Sequence, residues 1–118
     1  MHEHHYALQI FQAAEKKARE TGSDCVLEIK IKLGKDSGLT AENIGFYFDE
    51  IRDGSVCENA KLTFDIVTPL LKCNKCGKLF ERHPFSFACE DENCTGEGEP
   101  IETEIGKEFI IESILVKT

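Results

Sequence analysis

Cys73-Asn74-Lys75-Cys76, a gap of twelve residues, and Cys89-Glu90-Asp91-Glu92-Asn93-Cys94 place four of the chain's six cysteines inside one short segment. A C-x2-C pair is the knuckle by which two thiolates reach one tetrahedral metal at about 2.3 Å, and a second pair further along supplies the remaining ligands. Gly77, directly after Cys76, frees the backbone to turn there. Two disulfides or two ordinary buried thiol pairs are the competing readings, and the x4 spacing of the second pair is the one irregular feature. The segment is therefore expected to hold a structural Zn2+ through Cys73, Cys76, Cys89 and Cys94.

The sequence on either side is that of an ordinary folded core. Over residues 6–20, Ala7, Leu8, Phe11, Ala14 and Ala18 recur near helical spacing, and Thr21-Gly22-Ser23-Asp24 supplies a glycine cap and a turn. Leu27, Ile29, Ile31 and Leu33 then alternate with Glu28, Lys30 and Lys32, the pattern of a strand in a sheet covered on one side only. Thr40 is placed to cap a second helix over residues 41–52 that buries Ile44, Phe48 and Ile51. A second strand follows through Leu62, Phe64 and Ile66 and stops at Pro69. Beyond the cysteines, Gly106-Lys107 marks a turn between residues 102–105 and a final run, 109–116, too apolar to be left in water. That run must return to the first sheet. The expected fold class is thus α+β: two helices packed on one face of a small three-stranded sheet, with an inserted zinc-ribbon module. The expected domains are 1–69 plus 106–118 for the α+β part and 70–105 for the insertion.

At 118 residues with 41% hydrophobic content, the chain has material for one core and a smaller module. Neither a long apolar run nor a basic-then-apolar leader appears, so the expected location is the cytoplasm, with no membrane contact. Four paired cysteines in an otherwise core-forming sequence suit a reducing compartment, and the remaining two, Cys25 and Cys57, read as small buried hydrophobes. A net charge of −8 opposes a sequence-independent grip on nucleic acid. The local exception is Lys72, Lys75, Lys78 and Arg82 interleaved with Phe80, Phe85 and Phe87, a mixture that would suit a single strand. It is followed at once by Glu90, Asp91, Glu92, Glu97, Glu99, Glu102 and Glu104, so the module is dipolar and better matched to protein partners. No Ser-His-Asp order, phosphate-cradling glycine loop or H-E-x-x-H helix is present, and an enzyme is not expected.

The chain opens Met1-His2-Glu3-His4-His5, three imidazoles and a carboxylate beside an amine, a donor set that suits Ni2+ or Cu2+. Solvated residues ahead of a helix are the plainer reading. Met1-His2-Glu3, the segment Ile31-Lys32-Leu33-Gly34-Lys35-Asp36-Ser37-Gly38-Leu39, and the segment Phe48-Asp49-Glu50-Ile51-Arg52-Asp53-Gly54-Ser55-Val56 resemble the HypA (HypA/HybF) family of hydrogenase nickel-insertion proteins. Residues 62–69, the cysteine module and the closing Gly106-Lys107-Glu108-Phe109-Ile110-Ile111-Glu112-Ser113-Ile114 follow in that family's order, so the resemblance covers nearly the whole chain.

That resemblance implies a metallochaperone, not an enzyme, which hands Ni2+ to [NiFe]-hydrogenase maturation. Its implied partners are the GTPase HypB and the hydrogenase large subunit, with a homodimer also compatible. It implies nickel held by the amine and first backbone amides, with Met1, His2 and Glu3 as site residues, and zinc on Cys73, Cys76, Cys89 and Cys94. Supply of nickel to urease is the variant within the family, and a zinc-ribbon module binding nucleic acid or protein is the alternative outside it. The sequence departs from the family in the four residues between Cys89 and Cys94 and in the extra His4-His5. His83, inside the gap, is a further candidate ligand, though four cysteines already suffice.

Overall fold

The first helix begins at the very start of the chain. In the computed structural model, which describes residues 2–83, 85–101 and 105–118 and, for His2, the backbone only, α1 runs over His2–Thr21. It starts earlier than the expected residue 6 because His2-Glu3-His4-His5 joins the helix, with Glu3 in the first turn where a carboxylate suits the positive end of the dipole. Its buried stripe is Ala7, Ile10, Ala14 and Ala18. Ile10 takes the place expected of Leu8, which lies at the surface. Small residues at the other three positions let the helix sit close to its neighbours. The helix ends in a Schellman cap: the Ser23 amide donates to the Ala18 carbonyl at 2.8 Å and the Gly22 amide to Arg19 at 3.3 Å.

β1 (Val26–Gly34) is the central strand of a sheet ordered β2-β1-β6. β2 (Lys61–Val67) runs parallel to it, which demands a crossover connection, and α2 (Ala41–Ile51) provides one. β6 (Phe109–Val116) lies antiparallel on the other edge, so the final run does return to the first sheet. Ile29, Ile31 and Leu33 share one face with Leu62, Phe64 and Ile66 of β2 and with Ile114, Ile111 and Phe109 of β6. α1 lies on that face, with Tyr6 against Phe109 at a ring distance of 4.6 Å, and α2 packs beside it, with Phe11 against Phe48 at 6.3 Å and Ile44 and Phe48 in the same core. Lys30 and Asp65 point to water from the opposite face.

One strand position differs from expectation. Leu27 is 43% exposed and Val26 is buried instead. The register explains it: Val26 faces Val116 and Glu28 faces Leu115, so Leu27 is the extra residue of a bulge and the alternation restarts after it. On α2, Thr40 caps as expected, its hydroxyl accepting from the Asn43 amide at 3.1 Å. Ile44 and Phe48 are fully buried, while Ile51 is only half-buried.

The second sheet falls between β2 and β6 in the chain and is ordered β4-β3-β5, from β3 (Leu70–Cys73), β4 (Leu79–Glu81) and β5 (Gly98–Pro100). Its own small core is Leu71 and Phe80 with cysteines 73, 89 and 94. The loop after β1 is where the two sheets are tied. The Lys35 amide donates to Val67 at 2.9 Å and the Asp36 amide to Gly106 at 2.7 Å, so one loop holds both segments that connect the sheets. Residues 102–104, in the segment expected to lead into the Gly106-Lys107 turn, lie outside the described residues. A Cβ on Gly34 would overlap the backbone of Gly106, which itself lies against Pro69 with φ +94.

Gly34→Ala is therefore expected to lower stability by about 2 kcal/mol or more through forced overpacking of backbone on backbone. Gly45→Ala, in open space on α2, is expected to raise it by about 0.5–1 kcal/mol. Urea denaturation of both variants checks the pair, and equal midpoints would contradict the packing described for Gly34.

Candidate metal centre

Four thiols converge where the two knuckles meet. Cys73 ends β3, and its carbonyl accepts the Gly77 amide at 3.1 Å, folding the first knuckle back so that the Cys73 amide meets the Lys78 carbonyl at 2.9 Å. Gly77 adopts φ +75 in this turn. The second knuckle has two more residues to place, and Asp91 organises them. Its carboxylate accepts the Asn93 amide at 3.0 Å and its carbonyl accepts the Cys94 amide at 2.9 Å. The wider spacing thus becomes a side-chain-braced turn that still delivers Cys94. Asn74 and Glu97 join the knuckles by two hydrogen bonds, Asn74 amide to Glu97 carbonyl at 2.9 Å and Glu97 amide to Asn74 Oδ1 at 3.1 Å.

The resulting sulfur cage has metal dimensions. Sγ of Cys73 and Cys94 are 3.6 Å apart, those of Cys76 and Cys89 are 3.7 Å apart, and all four lie within 4.8 Å of one another. A tetrahedron with ligands at about 2.3 Å has edges of about 3.8 Å. Cys73 and Cys89 are buried, Cys94 is half-buried and Cys76 faces solvent. Among the described residues His83 is not drawn into this cluster: its Nδ1 accepts the Phe85 amide at 3.2 Å.

Amide donors and crowding set the thiols apart electrically. The amides of Cys76 and Lys75 point at Cys73 Sγ and lower its pKa to about 6. At Cys89 the Asp91 amide acts in the same direction, but burial and the neighbouring thiols outweigh it and push the group up to about 12. Cys94 receives the Gly96 amide, yet the adjacent Cys73 thiol and burial leave it raised. Four thiols this close cannot all ionise without a cation between them. Four thiolates around a dication leave a net double negative charge, and two lysines of the first knuckle reach across the site. Lys78 pairs with Glu90 at 3.2 Å and Lys75 donates to Thr95 Oγ1 at 2.8 Å.

At the other donor set, Met1 and the side chain of His2 lie outside the described residues. Glu3 is described, and it is only 8% exposed. A hydrogen bond from its own backbone amide lowers its pKa first, and Asn43 Nδ2, 3.5 Å from Glu3 Oε2, acts in the same sense. Asn43 carries no sequence signal for this role, since only the packing of α1 on α2 brings it there. His4 and His5 are exposed on α1, His4 edge-on to Tyr47 at 5.5 Å and His5 Nε2 3.3 Å from Gln9 Nε2. Of the two remaining cysteines, Cys57 is fully buried, and desolvation raises it to about 11, as befits an inert core thiol; Cys25 is half-buried.

Comparisons with known proteins give a consistent family. A family model described as hydrogenase/urease nickel incorporation, metallochaperone, hypA, matches residues 1–116. The chain is 41% identical over 92 residues to the hydrogenase maturation factor HypA of Caldanaerobacter subterraneus subsp. tengcongensis, covering 78% of each chain. Over 119 residues it is 32% identical to the hydrogenase maturation factor HypA of Chlorobium phaeobacteroides, covering 99% of this chain and 100% of that one. The solution structure of the Ni metallochaperone HypA from Helicobacter pylori shares the fold at TM-score 0.59 and 19% identity, covering 97% of this chain and 96% of that one. A second solution structure of a HypA protein gives 0.63 and 20%, covering 99% and 97%.

Filling the sulfur cage should displace protons. At pH 7 the thiols of Cys89 and Cys94 are both protonated, so loading Zn2+ is expected to release at least two protons. Calorimetry of the reduced, metal-free protein in buffers of different ionisation enthalpy measures this number, and release of fewer than two would contradict the thiol electrostatics.

Proposed function

Because the chain belongs to the HypA family of nickel-incorporation metallochaperones that serve hydrogenase maturation, we propose that it carries Ni2+ on Met1, His2 and Glu3. In the same reading it keeps a structural Zn2+ on Cys73, Cys76, Cys89 and Cys94. The nickel is cargo, bound and then released. The zinc is resident, and the division of the chain into 1–69 plus 106–118 and 70–105 assigns one metal to each part.

The observation that carries this reading is the chemical contrast between the two donor sets. The thiols form a complete soft set that leaves no position for water or cargo. The N-terminus offers harder nitrogen and oxygen donors on the first turn of α1. In any helix the first N–H groups have no intrahelical acceptor, so the amides of this turn are not committed to the helix. A cation is disfavoured at a helix N-terminus, and the buried Glu3 carboxylate supplies the offsetting charge. Deprotonated amides would add to it. Imidazole and amine nitrogens also take protons near neutral pH, so acidification competes with the cargo and favours its release.

We place this work in the cytoplasm, where free thiolates persist, with the GTPase HypB and the hydrogenase large subunit as partners, and with nickel supply to urease as the variant named in the family description. No helix of the described residues is long and apolar enough to cross a membrane. The nucleic-acid alternative loses support because its basic-aromatic patch is broken up. Phe80 is 4% exposed and part of the core, and Lys78 is paired with Glu90.

Titration of Ni2+ into the zinc-loaded protein tests the reading. One saturable site is expected with the native N-terminus, weakened by roughly a hundredfold or more in His2→Ala and in a chain bearing an extra N-terminal residue. Equal binding by all three would exclude the proposed site.

A further inference from the structure

The broken basic-aromatic patch leaves a remnant that neither metal site uses. A cavity of about 500 Å3 opens where the two sheets are tied, lined by Lys35 of the loop after β1, Thr68 after β2, and Arg82, His83, Phe85 and Phe87 of the segment after β4. Arg82 and Phe87 also line an adjoining hollow of about 420 Å3 that continues past Pro69 and Ile101 to Lys107. Together they make one groove along the junction of the two parts.

Its chemistry runs against that of the whole chain. The protein carries −8, yet the lining of this groove gathers Lys35, Arg82 and Lys107 against one carboxylate, Asp36. Among the described residues Lys35 and Lys107 form no ion pair, and Arg82 meets only Asp36 at 3.8 Å, with both side chains more than 40% exposed. A pair that long and that wet leaves the guanidinium available. His83 adds a directed donor: its Nδ1 accepts the Phe85 amide, so the ring proton sits on Nε2. Beside these cations stand two exposed aromatic rings. Phe85 is 91% exposed and Phe87 54%. Large apolar groups held that far into water, next to cations that are unpaired or, at Arg82, only loosely paired, are the composition of a protein-recognition surface.

We propose that this groove docks an acidic peptide segment of a partner protein, with carboxylates on Arg82, Lys35 and Lys107 and an aromatic or large aliphatic side chain against Phe85 and Phe87. Charge complementarity selects this occupant. On a chain of net charge −8, a groove that gathers three cations favours an acidic segment over a basic or neutral one. Arginine is the residue best suited to grip a carboxylate by two parallel hydrogen bonds. A nucleic acid strand would need many cations tracking its backbone, and a chain of net charge −8 with three in this groove opposes that. The proposal does not depend on where nickel binds.

The test is a titration of the full, zinc-loaded, isotope-labelled chain with a short blocked peptide alternating glutamate and phenylalanine, followed by amide NMR shifts. Controls are the same peptide with lysine for glutamate, the same with alanine for phenylalanine, inorganic phosphate, and oligothymidylate. Shifts are expected at Lys35, Arg82, His83 and Phe87, with affinity falling at least about tenfold in Arg82→Glu and in Phe85→Ala and with rising salt. Lys72→Glu, on β3, should bind the peptide as the parent does. Retention of zinc by Arg82→Glu, read together with unshifted amides of the second sheet, shows that the variant is folded, and unchanged nickel binding separates this surface from the cargo site. The proposal is overturned if the peptide does not bind, if both groove variants bind it fully, if the shifts fall elsewhere, or if oligothymidylate or phosphate binds more tightly than the peptide.

Discussion

Four sulfur atoms within 4.8 Å of one another form the constraint on which the second sheet depends. Its strands are three or four residues long, and its apolar core is little more than Leu71 and Phe80. Strands that short, with that little to bury, do not hold together in water without a further tie. A dication bound by four thiolates is such a tie, because its binding free energy becomes folding free energy. The hydrogen bonds between Asn74 and Glu97 and the two lysine contacts across the knuckles would then be additions to a frame set by a metal on the four thiols. Arg82, His83, Phe85 and Phe87 lie in the chain between the knuckles, so a metal bound by the four thiols would also constrain where they sit.

The first sheet needs no such help. Its core runs from Ala7 of α1 to Ala60 before β2 and includes Ile29, Ile31, Leu33, Ile44 and Phe48. The two parts meet at the loop from Gly34 to Asp36, which receives both connections, and the same loop leads through Thr40 into α2. α2 in turn places Asn43 beside Glu3. The fold therefore strings the knuckles, the joint and the first turn of α1 along one covalent and hydrogen-bonded route. Soft donors sit at one end of it and hard donors at the other.

Much of this was legible from periodicity and spacing. Alternation in β1 from Ile29 onward, the Thr40 cap and the apolar final strand each follow from a local pattern that tertiary packing did not overrule. The convergence of four cysteines is visible in their spacing, and the four-residue gap is absorbed by an Asp91 turn that the sequence Glu-Asp-Glu-Asn contains but does not announce. What escaped was set by partners distant in sequence. Leu27 turns outward because of a bulge that exists only in the pairing with β6. Ile10 replaces Leu8 because the direction of the α1 stripe is chosen by where α2 and the sheet lie. Phe80 belongs to the core and Phe85 to the surface, though both sit in one run of alternating basic and aromatic residues. Asn43 gains its role only from the contact between two helices.

X-ray absorption at the zinc and nickel edges, on protein carrying both metals, tests the separation of the two donor sets most directly. Zinc surrounded by four sulfurs at about 2.3 Å, with nickel surrounded by nitrogen and oxygen alone, is the expected result. Sulfur in the nickel shell, or a nitrogen in place of a sulfur around zinc, would contradict it.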